Sequence, residues 1–266
     1  MPERAIHLTY GDVMTAAALV LVAGCVSLGF ALGLERRLAF ASLRTVVQLL
    51  LIGYVLRWVF AVENVLVVLP ILVLMTLAAS RAAVQRIQRR YDGLTTDAFI
   101  TLLFCGFVVT FFAANGIVGI DPWYDPRYVI PLLGMVLGNG LTGISLCLDD
   151  ILERLETQRS LVEEDLAAGA TRWEAARDPL RESVRRGMVP IINSMSVVGI
   201  VSLPGMMTGQ ILAGESPLEA VKYQIMIMFM IAAATSLGCM GAVLIAFRRL
   251  FNDRHQLRVD RIRWRG

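Results

Sequence analysis

Residues 128–148 read YVIPLLGMVLGNGLTGISLCL, and residues 149–187 read DDILERLETQRSLVEEDLAAGATRWEAARDPLRESVRRG. The first stretch is apolar over the length that a bilayer-crossing helix needs, about 20 residues. The second is the longest polar segment of the chain, and it carries helix caps in place of the Gly/Ser pattern of a flexible linker. A membrane helix running into a helical polar loop sets the architecture. Working outward, further apolar runs stand at 13–34, 43–61, 64–80, 98–118, 188–212 and 222–247. Together they predict an all-α integral membrane protein of about seven spans, with the loop between spans 5 and 6.

Composition agrees. Of 266 residues, 56% are apolar before the 22 glycines are added, whereas a soluble domain reaches about 45–50% with glycine included. Seven spans leave too few residues for a soluble catalytic domain of ordinary size. Residues 1–266 are therefore expected to form one transmembrane domain, with 149–187 as a cytoplasmic loop and 248–266 as a basic cytoplasmic tail. The net charge of +3 offers nothing suited to nucleic acid. Lys222 is the only lysine, so no G-x-x-x-x-G-K-[ST] phosphate loop exists and the chain cannot hydrolyse ATP by that mechanism.

The placement of charge gives the orientation. The connections at 35–42, 81–97, 149–187 and 248–266, with Arg44, hold 21 of the 25 cations, and only Arg4, Arg57, Arg127 and Lys222 lie on the alternate side. The positive-inside rule then puts the N-terminus outside and the C-terminus in the cytoplasm. An even number of spans would place cation-rich segments on both faces, so the asymmetry favours an odd count. Cys25, Cys105, Cys147 and Cys239 are scattered through apolar runs and read as packing residues. Val22-Ala23-Gly24-Cys25 resembles a lipoprotein cleavage site, but the apolar run continues to Leu34 and ends in Arg36-Arg37, as a membrane span does.

In the loop, a helix from Asp149 to Ala168 is expected to stop at Gly169, and Thr171 with Glu174 forms the Thr-x-x-Glu capping box of the next. Asp178-Pro179 repeats the start signal, which predicts a short helix over 172–177 bent at both ends and carrying Trp173. Such a helix suits docking into a partner's groove or lying in the membrane interface.

Within the spans, Gly134-x-x-x-Gly138 offers a close-packing face, and Asn139 beside it reads as an interhelical clamp or a pathway residue. Pro204-Gly205 interrupts span 6, with Met206, Met207, Thr208 and Gln210 following. A broken helix beside polar side chains is a common way to build a substrate site or gate, and a simple helix end fits equally. Arg44 and Gln48 share a face of span 2, where an anchoring or an inward-facing role is open. Met226, Met228 and Met230 with Met206 and Met207 read as core filler before soft-metal ligands. His7 and His255 lie in polar ends, and no metal residue is assigned. Asp121, Asp125, Glu215 and Glu219 give the outer loops a negative field or a plain solvated surface.

The stretch Glu163–Ala176, followed by Pro179-Leu180 and Gly187, resembles the cytoplasmic coupling loop of ABC transporter permeases. The run from Pro204 to Leu212, Gly134–Asn139 and Arg44-x-x-x-Gln48-Leu49 resemble, more specifically, the FetB-like family of bacterial iron-export permeases, related to plant aluminium-sensitivity permeases. The resemblance implies a multi-pass permease of the bacterial inner membrane, homodimeric and not itself an enzyme, that exports iron and contributes to metal or oxidative-stress resistance. ATP and Mg2+ would sit on a separate ATPase subunit, with no cofactor on this chain. Glu164, Gly169, Ala170, Thr171, Arg172, Trp173 and Glu174 would couple to that ATPase. Arg44, Gln48, Asn139, Pro204, Gly205, Met206, Met207, Thr208 and Gln210 are the candidate pathway and gate. The alternatives are an ABC permease for an organic solute such as a nucleotide sugar, and a non-ABC channel or membrane scaffold.

Overall fold

The computed structural model describes residues 9–62 and 64–264. Arg4, His7 and the first of the expected outer charges lie outside the described residues. Nine α-helices are described: α1 (Tyr10–Gly29), α2 (Glu35–Val62), α3 (Val65–Gln85), α4 (Leu94–Phe111), α5 (Pro126–Thr157), α6 (Arg159–Ala167), α7 (Arg172–Val197), α8 (Gly205–Leu212) and α9 (Pro217–Leu250). A wider helical turn, Phe112–Val118, extends α4. Two short strands, β1 (Arg89–Arg90) and β2 (Arg263–Trp264), pair antiparallel and bring the end of the tail beside the α3–α4 connection.

Among the described residues six helices are long and apolar enough to cross a membrane: α1, α2, α3, α4 with its extension, α5 and α9. The protein is multi-pass, as its composition requires. The expected span 188–212 is not one helix. Its first part is the C-terminal end of α7, which stops at Val197, and its second part is α8. Between them Gly199 takes a left-handed backbone (φ +83°) and its N–H donates to Ser202 O at 2.9 Å, so the chain turns before Pro204 opens α8.

Helix α5 is the centre of the fold, packed against α3, α4, α7 and α9. Leu133, Ile144, Leu148, Ile151, Leu152 and Leu155 along it are fully buried. Helices α1 and α2 form a hairpin that only grazes α3 and α5, and most of its apolar side chains point outward.

Two loop expectations are corrected. The helix leaving span 5 does not run to Ala168, because Gln158 departs from helical geometry and splits it into α5 and α6. The separate helix at 172–177 is instead the first part of α7, 26 residues that continue through Asp178-Pro179. A proline inside a helix costs about 3 kcal/mol. Here Ala175, Ala176, Pro179, Leu180 and Ser183 form one buried stripe, and packing that stripe outweighs the local stop signal.

The glycine expectation is also corrected in position. A methyl on Gly138 would meet nothing within 4 Å, and one on Gly134 would meet only Met75 Cε at 3.5 Å. The close approach lies at Gly143 and Gly187, where α5 and α7 cross against α9. A Cβ on Gly187 would stand 2.7 Å from Cys239 Sγ, 2.8 Å from Gly143 O and 2.9 Å from Cys147 Cβ. Cys105, Cys147 and Cys239 are buried free thiols, which fits packing, whereas Cys25 on α1 is exposed.

Candidate functional site

One end of the bundle gathers three of the cation-rich connections. Asp150 on α5, 2% exposed, accepts from Arg154 Nε at 2.6 Å, from Ser183 Oγ at 2.9 Å and from Arg186. Asp97 at the start of α4 takes both arms of Arg249 on α9, at 3.0 and 2.9 Å. Arg89 pairs with Glu156, and its guanidinium lies 4.4 Å from the Trp264 ring centre. Buried charge in this layer is thus met by paired charge, the condition on which a buried carboxylate is tolerated. Tyr91 beside Asp97 is itself buried, which pushes its phenol well above the ordinary range.

The corner between α6 and α7 projects from this frame. Gly169 supplies a left-handed turn (φ +97°), and the capping box forms as expected: Thr171 N–H donates to Glu174 Oε2 at 2.8 Å, and Glu174 N–H donates to Thr171 Oγ1 at 3.3 Å. The Thr171 backbone N–H, then its hydroxyl, hold the Glu174 carboxyl below the usual range. Glu164, Gly169, Thr171 and Glu174 are exposed, and Ala170 is half-buried.

Arg172 is held from behind by the tail and Trp173 by α9. The Arg172 N–H donates to His255 Nδ1 at 2.9 Å, and its guanidinium donates to Asn252 O at 2.9 Å and Asp253 Oδ1 at 3.1 Å. Trp173 stacks edge-on against Phe247 of α9, with ring centres 5.5 Å apart, and keeps 50% of its surface open. The sequence shows a basic tail at 248–266, yet the tail residues that grip α7 are Asn252, Asp253 and His255, none of them lysine or arginine.

At the other end of α7 lies a cavity of about 420 Å³, bounded by Met195, Gly199, Met207, Gln224 and Met228. Gln224, which lines it, is only 7% exposed. Gln210 Oε1 on α8 is buried without a hydrogen-bond partner among the described residues. An unsatisfied buried amide oxygen is uncommon and costly, about 1–3 kcal/mol, so Gln210, just after the break in the helix, marks a place where a ligand or water belongs.

Of the expected pathway residues, Met207 lines this cavity, Met206 packs into the apolar cluster beside it, and Gln210 is nearby in chain on α8. Thr208 spends its hydroxyl on Pro204 O at 3.1 Å, while Gly205 stands exposed at the start of α8. Asn139 is exposed and donates to Met135 O of its own helix at 2.9 Å, so within this chain it clamps no second helix. Arg44 and Gln48 are exposed on α2, away from the cavity, without a hydrogen bond or ion pair among the described residues. Gln224, Met195 and Gly199 were not singled out by sequence reading. The signal for Gln224 is its position as the polar residue at the head of the run Ile225–Met230, sharing the Met228 face by the four-residue spacing.

Among the described residues no group of three His, Cys, Asp or Glu side chains could hold a metal. The cavity offers thioethers and an amide, donors suited to a soft or borderline cation that has shed part of its water, and poorly matched to a hard trivalent one. Of the acids expected on the outer side, Asp125 caps α5 through Arg127 N–H at 2.9 Å and Glu219 pairs with Lys222 at 2.6 Å.

The model of the family described as "Uncharacterised protein family (UPF0014)" matches residues 10–251. The chain is 31% identical over 257 residues to the "Probable iron export permease protein FetB" of Escherichia coli, covering 97% of this chain and 98% of that protein. It is 36% identical over 228 residues to the "UPF0014 membrane protein slr1647" of Synechocystis, covering 86% and 88%. It is 32% identical over 249 residues to the "Protein ALUMINUM SENSITIVE 3" of Arabidopsis thaliana, covering 93% and 90%. No solved structure matches the chain.

Proposed function

The chain belongs to the UPF0014 family, and from that membership we propose that it is the membrane-spanning permease subunit of an ATP-driven exporter, with iron as its cargo and a separate ATPase as its motor. The cargo follows from the likeness to the permease named for iron export. One observation carries the mechanism: α7 is a single helix of 26 residues, about 39 Å long at 1.5 Å per residue, which joins the exposed corner to the cavity. A continuous helix, even one with Pro179 and Pro190 inside it, that has a docking surface at one end and a broken-helix cavity at the other is the arrangement that couples an external motor to a gate.

In this reading the N-terminus is outside, the C-terminus is cytoplasmic, and the end of α7 with α8 makes the seventh crossing as a broken helix. The ATPase docks on Glu164, Gly169, Ala170, Thr171 and Glu174, with Trp173 at the edge of the contact and Arg172 holding the corner to the tail. Closure of two ATPase subunits pushes α7. The helix pivots where Gly143 and Gly187 meet, and its far end moves the turn at Gly199, opening the cavity to the outside. No bond is made or broken in this chain.

The permease works as a homodimer in the bacterial inner membrane. Arg44 lies nine residues into α2, about 13 Å from its start, and Gln48 is one turn deeper. Residues 35–42 belong to the connection before the apolar run 43–61, so Arg44 stands at the cytoplasmic edge of the span and Gln48 about one turn inside it; neither has a partner among the described residues, and a second copy across α2 provides one. Cells lacking this chain should accumulate iron under iron load and be more sensitive to oxidants, with both effects reversed by the wild-type chain. Unchanged cellular iron, with another solute accumulating, would overturn the iron assignment and favour an organic cargo.

A further inference from the structure

Between α7 and the last turns of α9 runs a groove of about 240 Å³ with a floor made by Leu180, Val184, Met240 and Leu244. Trp173 closes one end, and Arg177 and Arg181 stand on the rim, four residues apart and therefore on one face of α7. These two arginines differ from their neighbours. Arg172, Arg185 and Arg186 on the same helix each hold a carboxylate, whereas Arg177 and Arg181 have no hydrogen bond or ion pair among the described residues. Of the acids near them in the chain, Glu182 pairs with Arg185, and neither Glu174 nor Asp178 forms an ion pair with Arg177 or Arg181 among the described residues.

Two unpaired guanidiniums above an apolar groove, with an indole at its end, ask for a ligand that is anionic at one end and hydrocarbon at the other. We propose that the groove is a binding site for one anionic phospholipid of the cytoplasmic leaflet, its phosphate between Arg177 and Arg181 and an acyl chain along Met240 and Leu244. The assignment to that leaflet rests on the orientation given above. The floor decides between a lipid and a protein partner. Met240 and Leu244 belong to the apolar, membrane-crossing part of α9, so the groove opens where acyl chains lie, and arginine pairs at that level recognise headgroups. Trp173 suits the same boundary, where its ring is apolar and its N–H is wet. A lipid there would brace α7 between the corner and the Gly187 crossing, so the anionic lipid content would set how far a push at the corner reaches the cavity.

The test uses the full-length permease purified in detergent, with native mass spectrometry after addition of phosphatidylglycerol, phosphatidylcholine or inorganic phosphate. The wild type should retain one phosphatidylglycerol per chain at least tenfold better than phosphatidylcholine, with millimolar phosphate failing to displace it. R177Q/R181Q should lose that preference, R177K/R181K should keep most of it, and R185Q should keep all of it. Equal retention of the two lipids by the wild type, or undiminished preference in R177Q/R181Q, overturns the proposal and leaves the groove to a protein partner; displacement by phosphate overturns the acyl-chain part. Because retention is read without ATPase, ATP or cargo, absent lipid selectivity with intact transport refutes the groove alone, and retained selectivity without transport refutes the exporter reading alone.

Discussion

Replacing Gly187 by alanine adds a methyl where the structure has no room for one. The new Cβ would stand 2.7 Å from Cys239 Sγ, 2.8 Å from Gly143 O and 2.9 Å from Cys147 Cβ, against about 3.5–4.0 Å for an unstrained carbon contact. The Gly143 carbonyl is backbone and cannot rotate away, so α7 has to withdraw from α5 by roughly 0.6 Å or more to restore contact. Overpacking of this kind costs about 1–3 kcal/mol. Alanine returns about 1 kcal/mol of helix propensity, which leaves a net loss of up to about 2 kcal/mol, or as much as a few degrees of melting temperature for a chain of this size. The assay is thermal unfolding of the purified permease in detergent, alongside Gly24→Ala, where the added methyl meets nothing within 4 Å. Gly187→Ala should melt lower than the wild type and Gly24→Ala should not. A Gly187→Ala protein as stable as the wild type, with transport intact, would refute the claim that α7 pivots on a tight crossing at this residue.

Gln224→Leu replaces the polar side chain of the cavity lining by an apolar one of similar size, so the permease should fold and melt as the wild type does while losing most of its iron transport; unchanged transport would show that the cavity is not on the path. Trp173→Ala deletes the edge contact with Phe247 and should lower association with the ATPase on size-exclusion chromatography, and an unaltered complex would remove Trp173 from the docking surface. The Glu174 carboxyl is held below its ordinary value of 4.5 by its bonds to Thr171, so its stabilisation of the α7 cap is complete above pH 4.5 and is lost as the pH falls through the lowered native value. Hydrogen exchange at the first amides of α7, corrected for intrinsic rates, should therefore accelerate only at that acid end, and Thr171→Ala should abolish the dependence.

What was legible in the sequence was whatever depends on neighbours in the chain. The Thr171–Glu174 capping box and the Gly169 turn form as their four-residue spacing dictates, and the long apolar runs become the membrane helices. The misread features depend on residues far apart in sequence. Pro179 carries a strong local stop signal, yet Ala175, Ala176 and Leu180 around it are buried by tertiary packing, which keeps α7 whole. The Gly134–Gly138 spacing satisfied a helix-packing rule, but the crossing formed at Gly143 because Gly187 and Cys239 meet it there. The break in span 6 expected at Pro204 is there, with Pro204 capping α8, but it opens earlier, where α7 ends at Val197 and the chain turns at Gly199, a single glycine without a proline to advertise it. Gln224 is hard to single out because one amide at the head of a run of methionines and isoleucines is a weak signal until α8 and the turn after α7 close a cavity over it.

The account turns on a push at the cytoplasmic corner becoming movement of iron through the cavity. The most direct test is ATP-dependent uptake of ferrous iron into inside-out vesicles that hold this permease and its ATPase. Uptake should require both proteins and ATP, and Gln224→Leu should suppress it while leaving the complex assembled. ATP-driven uptake of another solute with no iron uptake, or iron uptake that proceeds without the ATPase, would contradict it.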